Sequence, residues 1–271
     1  MGLLGSPPFE IPRTVERDKE FAGWKSPEQV RLRLPAKNRH NAWTVVFFLL
    51  SQWFTVFVDI LAIWATTFLG GDGILATMAA LGAMLVLTMA TGIVTEKAAL
   101  GFGRLVPRLC SIYDVHFWQH ERYWKLSATA AVQIFNGTPF KPVIWRIFGV
   151  RMGRRVFDDG CGIPERTLVA IGDYCTLNAV AVVQCHSMED GAFKLDAVDI
   201  GPDCTLGVGS FIHYGVSIRQ GAEIAADSFL MKGEVVPEGA AFGGNPPRGP
   251  ARPVRPASWR DGLSAVPGAR R

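Results

Sequence analysis

His186 is the residue on which a chemistry is most readily built. It stands in Gln184-Cys185-His186-Ser187-Met188-Glu189-Asp190-Gly191. An imidazole titrates near neutral pH, so it can take a proton from a nucleophile and pass it on within one reaction. His213 is the second candidate, as base or as the group that orients one. Glu189 and Asp190 are near enough in sequence to hold the His186 tautomer. Either histidine also has a plainer use, bonding a carbonyl at a chain corner. His116 and His120 are four apart and share a face if they lie on a helix. Two histidines without a third ligand are a weak metal signal, and no metal site is expected.

A repeat positions these residues. Taken every sixth residue, the chain reads Ile171, Leu177 and Val183, and after a break Ile200, Leu206, Ile212, Ile218, Ile224, Leu230, Val236 and Phe242. A small residue often comes four places on, as at Cys175, Ala181, Cys204, Ser210, Ala222 and Ser228. A helix would scatter these positions, and a two-residue period would not single them out. A period of six predicts a parallel β-helix, with the large residue stacked inside each face and the small one in the corner. With three hexapeptides per coil and a break neutral to register, Val183, Ile212 and Leu230 share a face. His186 and His213 then lie on neighbouring coils of that face. The break leaves the coil just after His186, and in such rods binding and catalysis come from what interrupts the coil. Val150 and Val156 carry the six-residue phase back, so the first coil is expected to start near 150. The eight-residue step from Ile163 to Ile171 marks an irregular coil.

The 271 residues allow one or two domains. Hydrophobic residues make up 49% of the chain and charged ones 19%, and the apolar excess lies in two runs. The five cysteines form no CxxC pair. Cys175 and Cys204 occupy inward small positions of the repeat, and they read as reduced core residues of a cytosolic compartment.

Residues 1–42 form a polar, basic segment with Arg31, Arg33, Lys37 and Arg39 at its end. It shows no cleavable signal peptide. Its Gly5-Ser6-Pro7-Pro8 resembles Gly244-Asn245-Pro246-Pro247, as though an earlier β-helix ended there. Residues 43–96 read as a transmembrane hairpin. Residues 43–69 carry one ionisable side chain, Asp59, and residues 74–94 none. Each run crosses about 30 Å of hydrocarbon at about 1.5 Å per residue. Basic residues flank both outer ends, which predicts two spans of the cell membrane with both termini and the β-helix cytoplasmic. Asp59 has no basic partner in either span, and is expected to bond to a neighbouring helix, a Thr or Ser, or water, or to stay protonated, in a packing role with other membrane helices. The glycine-rich loop 70–73 lacks the serine that a carrier site needs.

Residues 97–149 are rich in aromatics interleaved with Arg122, Lys125, Lys141 and Arg146. Beside a membrane hairpin this mixture predicts helices at headgroup level, with the lipid bilayer and not nucleic acid as partner. The β-helix is assigned to 150–246. Residues 247–271 hold prolines and arginines with little to bury, and read as a disordered basic tail.

A β-helix with a late histidine loop and a Gly-Asn-Pro-Pro closure resembles the hexapeptide-repeat acyltransferases, which implies a mainly β, left-handed coil. A nearer resemblance rests on the stretch 5–13, on His116-Phe117-Trp118-Gln119-His120-Glu121-Arg122, on Phe135-Asn136-Gly137-Thr138-Pro139-Phe140, on Val156-Phe157-Asp158-Asp159-Gly160 and on the stretch 184–191. These are similar to the membrane-bound C-terminal region of ε-poly-lysine-synthetase-like nonribosomal peptide synthetases. In that family adenylation and carrier domains precede transmembrane helices and tandem acyltransferase-like units. The chain looks like the last such unit alone.

The resemblance implies an acyltransferase moving an aminoacyl group from a phosphopantetheine-linked thioester, on a carrier protein or coenzyme A, to an amine. No covalently bound cofactor is implied. The expected partners are an adenylation and carrier protein or sister units, an amine acceptor and further copies of the chain. His186 or His213 would be the base. Glu189 or Asp190 would fix its tautomer or bind the acceptor amine. Asn178 or backbone N–H groups would hold the oxyanion. Lys232 would meet the pantetheine phosphate. Two alternatives stand beside this reading: a stand-alone acyl-CoA O- or N-acyltransferase, and a catalytically silent scaffold unit.

Overall fold

The computed structural model describes residues 2–4, 9–11, 26–68, 73–127, 130–189 and 191–245. The Gly5-Ser6-Pro7-Pro8 motif, most of the loop 70–73, Asp190 and the tail 247–271 therefore lie outside the described residues. A short antiparallel pair, β1 (Gly2–Leu4) and β2 (Phe9–Ile11), opens the chain. Two long helices follow, α1 (Pro27–Phe68) and α2 (Ile74–Ala99). Both are long and apolar enough to cross a membrane. α1 begins well before its apolar run, so the basic cluster Arg31 to Arg39 forms its first turns. That polar part docks on α3 (Val115–Leu126): Lys37 pairs with Glu121 at 3.1 Å, and a His40 ring nitrogen lies 2.9 Å from the Trp118 carbonyl. The apolar part is open, with Trp53, Trp64, Leu75 and Val86 each more than half exposed. Within it Thr88 donates to the Asp59 carboxylate at 3.3 Å, so the carboxylate finds its partner on the facing helix.

The β-helix has three faces. Met152, Ile171, Ile200, Ile218 and Val236 stack on the first. Asp158, Leu177, Leu206, Ile224 and Phe242 stack on the second. Val183, Ile212 and Leu230 stack on the third, as the six-residue spacing predicts. A bridge from Gly162 to Val182 extends that face by one coil. The coil is a left-handed β-helix. From Leu177 to Val236 its stacked residues are all but sealed from solvent, and each buried side chain of this size favours folding by about 1.5–3 kcal/mol. The residue three places after a stacked one often turns left-handed, as at Asp203, Gly209, Gly215, Gly221, Asp227 and Gly233. That turn makes the corner, and glycine or aspartate takes it at least cost. The first strand paired into the coil is Arg151–Met152, and Val150 and Val156 fill corner positions, each two residues before the stacked Met152 and Asp158.

Two departures from the six-residue step leave the same corner, after the third face. The shorter one carries a 3-10 turn, Arg166–Leu168. The longer one is a hairpin of strands His186–Glu189 and Ala192–Leu195, joined on its far side by β3 (Arg108–Ser111). α3 lies against this sheet. α4 (Ala130–Gln133) and α5 (Lys141–Phe148) lead into the first coil. The aromatic residues of this region divide. Phe117, Trp118, Tyr123, Trp145 and Phe148 are buried, most of them in one core with the coil, while Phe140 stays exposed. Asp158 holds a stacked position as a buried carboxylate. It accepts from Trp145 Nε1 at 2.5 Å and from the Gly160 and Cys161 N–H groups at 2.8 Å, which ties α5 to the coil. All five cysteines are buried and free.

Candidate active site

The two departures meet at Glu165, which the sequence analysis did not single out. Glu165 immediately precedes the 3-10 turn and is wholly buried. One coil on, the Cys185 N–H donates to its Oε2 at 2.9 Å. The His186 Nδ1 lies 2.8 Å from its Oε1. From α3, Trp124 Nε1 donates to the same oxygen at 2.7 Å, and His120 Nε2 stands 3.5 Å from it, beyond a good hydrogen bond. The Trp124 ring lies 4.5 Å from both imidazoles. Tyr123 donates to the Pro164 carbonyl at 2.6 Å, which holds the turn in place.

Burial opposes a charge on Glu165, but the two imidazoles beside it, His120 and the hydrogen-bonded His186, overcome it and hold the carboxyl down to about 2. The group is a carboxylate at any ordinary pH. It therefore accepts a hydrogen bond from Nδ1–H of His186 and fixes the tautomer in which Nε2 is bare. The His186 side chain keeps 14% of its surface exposed, so that nitrogen is open to a substrate. Burial lowers the His120 pKa, against the neighbouring Glu165, which raises it.

A second carboxylate ties this turn to the helical hairpin. Glu96, near the end of α2, is buried and pairs with Arg166, and Ser127 Oγ donates to it at 2.9 Å. The Arg166 guanidinium lies 4.0 Å from the centre of the Phe148 ring, and burial pulls its pKa down to about 9.

The other expected site residues sit elsewhere. His213 follows Ile212 on the coil next to Val183, so the two histidines do rise from adjacent coils of the third face. Its Nδ1 accepts from the Tyr214 N–H at 3.1 Å, and Phe211 and Phe229 meet its ring edge-on. Glu189 does not hold the His186 tautomer: it pairs with Lys232, and Glu165 takes the role expected of it. Lys232 also lies over the Tyr214 ring. Asn178 is not turned to the histidine. Its amide donates to the Leu206 carbonyl of the next coil at 2.7 Å, a bond between coils. The irregular step from Ile163 to Ile171 was the signal for Glu165, and the His116–Arg122 motif was the signal for His120.

No family model matches the chain. A delta-poly-L-ornithine synthetase of Acinetobacter baumannii (strain AB307-0294) is 32% identical over 148 residues, which is 53% of this chain. The chain spans 11% of that relative's length. Among solved structures, a hexapeptide-repeat acetyltransferase of Vibrio cholerae in complex with acetyl coenzyme A is 21% identical, over 37% of this chain and 58% of its own, with a TM-score of 0.35. A maltose O-acetyltransferase of Clostridium difficile 630 is 15% identical, over 57% of this chain and 95% of its own, also at 0.35. The chain is thus similar to one segment of a delta-poly-L-ornithine synthetase.

Proposed function

We propose that the chain is a membrane-anchored acyltransferase unit that transfers an aminoacyl group from a carrier-bound thioester to an amine. The observation that carries this reading is the pairing of the buried Glu165 with the partly exposed His186 at the interruption of the coil. His186 Nε2 removes a proton from the attacking nitrogen as the C–N bond forms. The tetrahedral centre then collapses, the C–S bond breaks, and the same proton goes from the imidazolium to the departing thiolate. General-base catalysis of this kind contributes about 10²–10⁴-fold. Glu165 is a positioning residue: it fixes the tautomer and stabilises the transient imidazolium. His213, on the neighbouring coil of the third face, is assigned to the acceptor side. Lys232 with Glu189 forms the outer edge of the third face, where the donor's pantetheine arm would lie. With Asn178 committed to Leu206, oxyanion donation falls to backbone N–H groups.

The relative's name supports an amino-acid polymer as the product class. The open apolar surfaces of α1 and α2 support two membrane spans, and the basic residues outside both ends support a cytoplasmic β-helix. The test offers the full chain, in nanodiscs, an aminoacyl-carrier thioester and acetyl coenzyme A with a panel of amines. Faster amide formation from the carrier thioester is expected. Transfer from acetyl coenzyme A alone would assign the unit to free acyl-CoA donors, and no transfer from either by a folded sample would overturn the enzymatic reading.

A further inference from the structure

A cavity of about 330 Å³ lies behind the Glu165 cluster, where the end of α2 meets α3 and the hairpin. Arg104, Arg108 and Arg122 line it, with His116, Gln119 and His120, and no carboxylate is among its described lining residues. Two of the guanidiniums are held in place by the protein itself. Arg104 donates to the Thr167 carbonyl at 3.0 Å, and Arg122 donates to Thr44 Oγ1 on α1 at 3.0 Å. Leu105 N–H also donates to Thr167 Oγ1 at 2.9 Å, so the cavity rim is stitched to the turn that follows Glu165. On the inner wall, His120 is 4% exposed, and its Nε2 faces Glu165 Oε1 at 3.5 Å.

Three guanidiniums, two of them fixed, repel an amine acceptor and suit an anion with several oxygens, above all a phosphate. His186 does not line the cavity, and the buried Phe193 does. The space is therefore not the seat of the reacting groups. Its other wall is Ala99 and Leu100, the last residue and the cap of α2. A helix spanning the bilayer brings its end to the depth of the lipid phosphates.

We propose that this cavity binds the phosphate of an anionic phospholipid headgroup. The inference rests on the reading of α1 and α2 as membrane spans. The lipid would sit on Arg104 and Arg108 and brace the turn that presents Glu165.

The test uses the full chain, delipidated in detergent and given phosphatidylglycerol and phosphatidylcholine in equal amounts, with bound lipid counted by native mass spectrometry. Basic residues each strengthen anionic-lipid binding by roughly fivefold. The expected result is a preference for phosphatidylglycerol of at least about fivefold that the Arg104→Gln/Arg108→Gln variant loses. An Arg154→Gln/Arg155→Gln variant, altered on the exposed first coil, should keep it. Hydrogen exchange on the unaltered chain gives a second readout, with slower exchange at 104–108 expected when phosphatidylglycerol is added. Equal binding of both lipids, or a preference that survives in the Arg104→Gln/Arg108→Gln variant, overturns the proposal. Displacement of the lipid by coenzyme A also overturns it and assigns the cavity to a soluble phosphate. Whether the chain needs detergent to leave the membrane is measured on the same preparation, so failure of the spans is told apart from failure of the site.

Discussion

Replacing Glu165 by Gln removes one charge and leaves the shape. Glu165 offers Oε1 to Trp124 and His186 and Oε2 to the Cys185 N–H. Glutamine has one oxygen and one NH₂. With the NH₂ toward His186, Nδ1 must become the acceptor and the ring proton moves to Nε2, where a base is needed. With the NH₂ toward Cys185, a buried N–H loses its acceptor, at about 1–3 kcal/mol. The carboxyl falls from its ordinary 4.5 to about 2, which corresponds to about 3 kcal/mol in favour of the carboxylate. Glu165→Gln should therefore cost about 3 kcal/mol of stability and lower kcat by about 10²–10⁴-fold. Because the folded pKa is depressed, the stability difference between wild type and variant should be flat above pH 4.5 and shrink as pH falls toward 2. The assays are kcat against pH, denaturant unfolding against pH, and ¹⁵N resonances of the His186 ring. A merely structural Glu165 would leave the ring tautomer and the pH profile alone. A variant with near wild-type kcat and a bare Nε2 would refute the reasoning.

Three further outcomes follow from the packing. Arg166→Met leaves Glu96 charged and buried without its partner, and should cost about 3–5 kcal/mol in detergent unfolding. Adding Glu96→Gln should recover most of that loss, and a single variant as stable as wild type would contradict the pairing. Gly172→Ala places a methyl 2.4 Å from the Pro202 backbone nitrogen on the next coil, so about 1–3 kcal/mol of destabilisation is expected from denaturant titration. Gly82→Ala on α2 meets nothing within 4 Å, and its melting temperature should stay level or rise.

The coil was legible because each stacked residue serves one geometric purpose. A period of six is imposed by strand and corner, and it survives the long break between Val183 and Ile200. The ends of the elements were less legible. α1 runs on from its apolar span through charged residues because those residues pair with α3, a contact distant in sequence. Glu165 was hidden for the same reason. Its burial depends on α3 arriving from some forty residues upstream, and in sequence it lies in an irregular step with no repeat to flag it. Proximity in sequence suggested Glu189 as the partner of His186, but Glu189 lies at the far end of the same hairpin strand and faces Lys232. Asp158 departs from the apolar rule of the stack because α5 brings the Trp145 N–H to it.

The most direct test of the account is single-turnover transfer from an aminoacyl-carrier thioester to an amine, comparing wild type with His186→Ala. The account predicts a loss of two or more decades, part of it restored by added imidazole, which replaces the missing base. Transfer by His186→Ala within tenfold of wild type, with no response to imidazole, would contradict the assignment of His186 as the base.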